Sequence, residues 1–269
     1  MGEHFICKTC GVQFAATTQP PEQCPICDDE RQYIGPNGQQ WTTLPALRDG
    51  YHNVINLVAP GLTGVGTYPS FAIGQRALLV QTPAGNVLWD CISLLDDPTI
   101  VAVRALGGIA AIAISHPHFY SAMVEWSAVF DAPIYLHADD RQWVMRPDPA
   151  IVFWAGETHP LMDGITLIRC GGHFAGSAAL HWVAGAAGRG ALLTGDTIQV
   201  VADRRYVTFM CSYPNSIPLP ASAIRRIVAA VAPFSFDTLY GGWWDRIVTP
   251  DAKGAVTRSA ERYIGKIEG

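Results

Sequence analysis

Beyond residue 41 the apolar positions of this chain fall into short runs rich in Val, Ile and Leu, separated by turns. Ala77-Leu78-Leu79-Val80-Gln81 and Asn86-Val87-Leu88-Trp89-Asp90 flank Pro83-Ala84-Gly85 and predict a hairpin. Residues 98–106 have helical spacing closed by Gly107-Gly108, after which Ile109-Ala110-Ala111-Ile112-Ala113-Ile114 predicts a buried strand ending at Ser115-His116. Met123, Trp126, Val129 and Phe130 then make one helical stripe, with Glu125 and Ser127 off it. Residues 134–137, 165–169 and 191–194 predict further strands, and residues 221–231 a late helix. Strands first, then strand and helix in alternation, with polar residues gathered at the ends of apolar strands, predict an α/β (α+β) protein of two sheets covered by helices.

The first forty residues differ in character: they carry four cysteines, Pro20-Pro21 and a polar exit over residues 35–40 that predicts a turn and linker. A boundary near Trp41 divides the chain into residues 1–40 and 41–269. At 269 residues and 49% hydrophobic, there is enough chain for one large core and a small appendage. A net charge of -5 without runs of like charge gives no footprint for nucleic acid or an anionic membrane. The start lacks a basic segment followed by an apolar one, and the most apolar stretch, residues 100–114, is interrupted by Arg104 and Gly107-Gly108. These features predict a soluble, cytoplasmic protein whose partner is a small-molecule substrate or ligand, and leave its oligomeric state open.

Cys7-Lys8-Thr9-Cys10 and Cys24-Pro25-Ile26-Cys27 are two C-x-x-C pairs with thirteen residues between them. Each pair can aim two thiolates at one tetrahedral ion, and zinc accepts four sulfurs. Forty residues bury too little apolar surface to fold alone, so the metal is expected to stabilise the segment. It resembles a rubredoxin-like or zinc-ribbon knuckle, and the short gap between pairs favours zinc over iron. Four sulfurs leave no open position, which predicts a structural role. The remaining Cys91, Cys170 and Cys211 read as small buried hydrophobes.

Ser115-His116-Pro117-His118 stands where a buried strand meets a helix, and His-x-His can supply two imidazoles to one metal. Downstream, Gly171-Gly172-His173-Phe174 and Leu193-Thr194-Gly195-Asp196-Thr197 each open a loop at a strand end, and upstream Val87-Leu88-Trp89-Asp90 places a carboxylate at another. In this order the four motifs resemble the metallo-β-lactamase superfamily over roughly residues 42–264. The resemblance implies a four-layer αββα sandwich. It also implies a metal site held by His116, His118 and His173, with Asp196 as the carboxylate that bridges two metals in the family and Asp90 supporting the site from behind.

The family's string His-x-His-x-Asp-His is incomplete here, because Tyr120 and Ser121 stand where the aspartate and third histidine belong. Residues 239–244, where the last family histidine falls, contain none. With three ligands of the second metal missing, one pocket metal is expected: zinc first, with iron or manganese less favoured for three imidazoles and a carboxylate. Asp196 then either coordinates, closing the tetrahedron, or stays off the metal as a base or orienter of a water nucleophile. Tyr120 either donates to an oxyanion or packs where the second metal would sit, and packing is favoured. His4, His52, His137, His159 and His181 receive no role, while Trp154, Trp243 and Trp244 are candidates for an apolar pocket wall. The leading functional expectation is a mononuclear metallohydrolase of a small ester, thioester or lactone that uses zinc-activated water. The alternative is a catalytically silent protein of this fold that binds a metabolite or partner. Oxygen reduction as in flavodiiron proteins, which pair this fold with rubredoxin-like modules, lacks the required ligand string and flavodoxin-like domain.

Overall fold

The computed structural model describes residues 2–269 and divides into two compact units. One runs up to Leu136 and resumes over Arg141–Phe153; the other takes His137–Asp140 and Trp154–Gly269.

The first unit is built on a seven-stranded sheet with strands in sequence order: His52–Ala59, Leu62–Tyr68, Arg76–Val80, Val87–Trp89, Ala111–Ala113, Ile134–His137 and Ile151–Trp154. The expected hairpin is present, with Val80 opposite Val87, and both of its strands are buried along their whole length. Continuous apolar runs of this kind suit central strands covered on both faces. Val87–Trp89 pairs parallel with Ala111–Ala113, which requires a crossover, and Asp97–Ala105 provides it as a helix. Asp96 caps that helix by accepting from the Thr99 N–H at 2.9 Å, and Gly107 and Gly108 end it at positive φ.

The cysteine segment packs within this unit. Phe5–Cys7 pairs antiparallel with Trp41–Thr43, and Ile6 enters a cluster with Leu44, Leu47, Phe71 and Leu94. Ser93 Oγ donates to the Gly11 carbonyl at 2.7 Å, and a Cβ at Gly11 would stand 2.6 Å from that hydroxyl, so the turn at φ +82° requires glycine. Farther on, the Gln13 N–H donates to the Ser121 carbonyl, and Arg146 pairs with Glu125 at 2.6 Å while also bonding Gln13.

The second unit carries a six-stranded sheet in the order Thr158–Met162, Ile165–Arg169, Ala178–Trp182, Ala191–Leu193, Thr238–Tyr240, Ile247–Val248. Helices Ala221–Val231 and Ala252–Ile267 close its core, which includes Ile168, Leu192, Ile224, Ile227, Leu239 and Val256. The second helix escapes sequence reading because its buried stripe, Ala252, Ala255, Val256, Ser259 and Ala260, is made mainly of small residues. No helix among the described residues is long and apolar enough to cross a membrane.

Candidate metal centres

The four knuckle sulfurs are buried and lie within 4.8 Å of one another, with Cys7 to Cys27 at 3.5 Å and Cys10 to Cys24 at 3.7 Å. A tetrahedron with metal–sulfur arms of about 2.3 Å has edges of about 3.8 Å, so the cradle has the right size. Burial and the neighbouring sulfurs push the Cys10 thiol well above its ordinary value. Hydrogen bonds from Cys10, Cys24 and Cys27 pull Cys7 below its own, and Gln39 Nε2 donates to Cys7 Sγ at 3.2 Å. Cys7 and Cys10 are thus pushed in opposite directions, a conflict that a divalent cation removes by displacing protons.

The second donor group is assembled from strand ends. Val87–Trp89 and Ala111–Ala113 are parallel, with Trp89 beside Ala113, so Asp90 and Ser115-His116 leave the sheet at the same edge. Asp90, 1% exposed and at φ +60°, accepts the Ser115 N–H at 2.8 Å and so fixes the backbone beside His116. The His116 and His118 rings are 5.3 Å apart, and Ser115 Oγ lies 3.1 Å from His116 Nδ1.

In the second unit His173 sits in the loop between Ile165–Arg169 and Ala178–Trp182. Gly172 turns that loop at φ +84°, and a Cβ there would stand 2.8 Å from Ile227 and 3.0 Å from Leu219. His173 Nδ1 is 3.1 Å from the Met210 carbonyl and must donate to it, which leaves the lone pair of the neutral ring on Nε2. That nitrogen is 3.9 Å from Asp196 Oδ1. Tyr213 supports both residues: its hydroxyl donates to the Asp196 backbone carbonyl at 2.7 Å and its ring packs 5.9 Å from that of His173. Burial, and then the Asp196 charge, push the Tyr213 phenol well above its ordinary range, so it remains a donor.

His116, His118, His173 and Asp196 are all buried, and one ligand atom from each lies within 4.8 Å of the others. Three imidazoles and a carboxylate are a donor set that suits a divalent transition metal. The turn expected to carry the family's last histidine lies beside Asp196: Thr238–Tyr240 runs parallel to Ala191–Leu193, and the Gly242 N–H donates to the Gly195 carbonyl at 2.9 Å. Residues 239–244 thus reach this neighbourhood without an imidazole. Tyr120 and Ser121 are buried, and Ser121 Oγ donates to the Cys91 carbonyl at 3.2 Å while Gln75 bonds the same hydroxyl.

The histidines given no role have structural partners. His137 bonds the Gly156 carbonyl at 3.1 Å and burial lowers its basicity, while His181 bonds the Ser235 carbonyl at 2.8 Å. Trp154 packs on His137 and His159, and Trp243 and Trp244 are half-buried. Sequence reasoning missed Met210 and Tyr213. A carbonyl has no residue signature, and Tyr213 becomes significant only through the fold.

No family model matches the chain. The uncharacterized protein YmaE of Bacillus subtilis (strain 168) is 52% identical over 263 residues, covering 97% of this chain and 96% of YmaE. Among solved structures, the metallo-β-lactamase DIM-1 aligns with a TM-score of 0.58 at 13% identity over 79% of this chain and 98% of its own. FIM-1 from Pseudomonas aeruginosa, in a mono-zinc form, gives 0.58 at 13% over 79% and 96%. VMB-1 gives 0.59 at 10% over 80% and 98%. At these identities the likeness shows the fold, which is that of the metallo-β-lactamases, as the order of motifs implies.

Proposed function

The chain belongs to the family of the uncharacterized Bacillus subtilis protein YmaE, and we propose that it is a mononuclear metal-dependent hydrolase of a small ester, thioester or lactone. The observation that carries this reading is the donor group itself, three buried imidazoles and one carboxylate with ligand atoms within 4.8 Å. Zinc is the metal proposed for both donor groups, and a solved neighbour of the same fold is a mono-zinc form. When bound, such a metal supplies Lewis acidity toward a carbonyl and lowers the pKa of a water to about 7.

The chain's own residues would hold and aim this chemistry. Met210 and Ser115 fix the imidazoles of His173 and His116, and Tyr213 anchors the backbone of Asp196. Asp196 would either hold the metal or take a proton from a water, and turnover requires that it leave one position for that water. Tyr120, 2% exposed, fills space where a second-metal ligand stands in the family. The absence of a basic cluster beside the motifs favours a carbonyl substrate over a phosphodiester. A second reading has its own support: with Asp196 inside the donor group, four ligands can close the tetrahedron and leave a silent metal-binding pocket.

Turnover of a panel of aryl esters, acyl thioesters and γ-lactones by zinc-reconstituted protein separates the two. Hydrolysis that rises with pocket metal and vanishes in His116→Ala and His173→Ala supports the enzyme. Activity surviving both substitutions sinks it, and a filled pocket with no turnover across the panel favours the silent protein.

A further inference from the structure

The second unit contains a groove of about 270 Å³ between the hairpin formed by Gln199–Val200 and Val207–Thr208 and the C-terminal helix Ala252–Ile267. None of the four pocket donors lines it. Its floor is apolar, with Val201, Val207 and Ile267, and the rings of Tyr206 and Tyr263 add aromatic surface. Arg262 and Lys266 stand on its rim, one helical turn apart on the same face. Three carboxylates of the surrounding surface are bonded by other arginines: Asp203 takes two bonds from Arg205 at 2.9 and 2.8 Å while also feeling the Arg262 charge, Asp251 takes one from Arg258 at 2.6 Å, and Glu268 two from Arg225, both at 2.9 Å. Among the described residues neither Arg262 nor Lys266 has an ion-pair partner. The Arg262 guanidinium is held 4.4 Å over the Tyr206 ring, and the Val207 N–H donates to Ser259 Oγ at 2.9 Å, so hairpin and helix are pinned together and the rim is preorganised.

The groove is also wired to the metal pocket. The Tyr263 hydroxyl donates to Met210 Sδ at 2.9 Å, and the Met210 carbonyl is the group that orients His173.

We propose that this groove is a second binding site, for a small amphiphilic anion with one carboxylate or phosphate head and an apolar body, and that its occupancy is transmitted to His173 through Tyr263 and Met210. The head would sit between Arg262 and Lys266, neither of which makes a close ion pair within the protein, and the body on Val201, Val207 and Ile267. A volume just below the roughly 300 Å³ at which ordinary small-molecule sites begin suits a short chain or single ring. The proposal holds whether or not the metal pocket is catalytic.

The test is titration of the zinc-loaded full chain with octanoate, octyl phosphate and octan-1-ol, following heat and the histidine ring resonances. Expected are saturable binding of at least one anion and binding of the alcohol about tenfold weaker. Arg262→Ala/Lys266→Ala should lose about tenfold in affinity, and Arg262→Lys/Lys266→Arg should retain it. Both positions are exposed, so neither pair threatens folding. The His173 ring signals should move on binding in wild type and stay still in Tyr263→Phe, which still binds. No saturable binding, or equal binding by the alanine pair, overturns the site. His173 signals that do not respond, or that respond equally in Tyr263→Phe, overturn the transmission.

Discussion

The knuckle and the histidine pocket are both buried four-donor groups, yet they are built in opposite ways. The knuckle draws its sulfurs from a short stretch, Cys7 and Cys27 being 20 positions apart, and two C-x-x-C turns suffice to aim them. The pocket gathers His116 and His118 from one loop, and His173 and Asp196 from two others, all at strand ends, with Asp90 and Ser115 fixing His116 on one side and Met210 and Tyr213 fixing His173 and Asp196 on the other. A local cluster of like ligands closes on its metal and stabilises the chain around it. A dispersed mixed cluster depends on a fold formed beforehand, which frees it for chemistry.

That contrast makes stability and activity separable. The largest effect is expected from Cys24→Ser/Cys27→Ser, which should remove the knuckle metal and, by releasing Ile6 from its cluster, cost on the order of 5 kcal/mol in thermal or denaturant unfolding. An unchanged unfolding midpoint would break the comparison on the knuckle side. His173→Ala should do the reverse: hydrolysis falls by about 10²-fold or more, while stability changes by about 1–2 kcal/mol. If the midpoint fell as far as in the cysteine variant, the pocket would be structural too. Tyr213→Phe is a gentler probe, removing the hydroxyl that bonds the Asp196 carbonyl; it should weaken pocket metal affinity about tenfold and leave the knuckle metal in place, as read by competitive chelation.

The smallest effect concerns a thiol outside both groups. Burial raises Cys170 to about 12, above its value in the unfolded chain, so its contribution is fully present below the unfolded thiol pKa of about 8.5 and is lost as pH climbs toward 12. Alkaline unfolding over that window should be shallower in Cys170→Ala. An identical slope in the two proteins would show that Cys170 is not a source of the alkaline loss.

The same contrast explains which parts of the fold and the site are legible in the sequence. The knuckle was legible because its geometry is written in spacing alone. The pocket histidines and Asp196 were legible because strand ends announce themselves: Ile112 and Ala113 lead directly to Ser115-His116, and Leu192-Leu193 to Gly195-Asp196. The helix Ala221–Val231 was fixed by its apolar stripe of Ile224, Ile227 and Val231, to the residue. The helix Ala252–Ile267 was not, since alanine and serine carry little hydrophobic contrast, and the hairpin His52–Ala59 with Leu62–Tyr68 was hidden by an edge strand that leaves Leu57 74% exposed. The supports of the pocket were out of reach for another reason: a backbone carbonyl at Met210 acts through position, which only tertiary packing sets.

The central claim is two metal sites, one closed and structural, one thinned to a single ion. Metal content per chain tests it most directly. Two ions are expected in wild type, one for each donor group, falling to one in Cys24→Ser/Cys27→Ser and to one in His116→Ala. Three ions in wild type, or one in wild type with none in the cysteine variant, would contradict it.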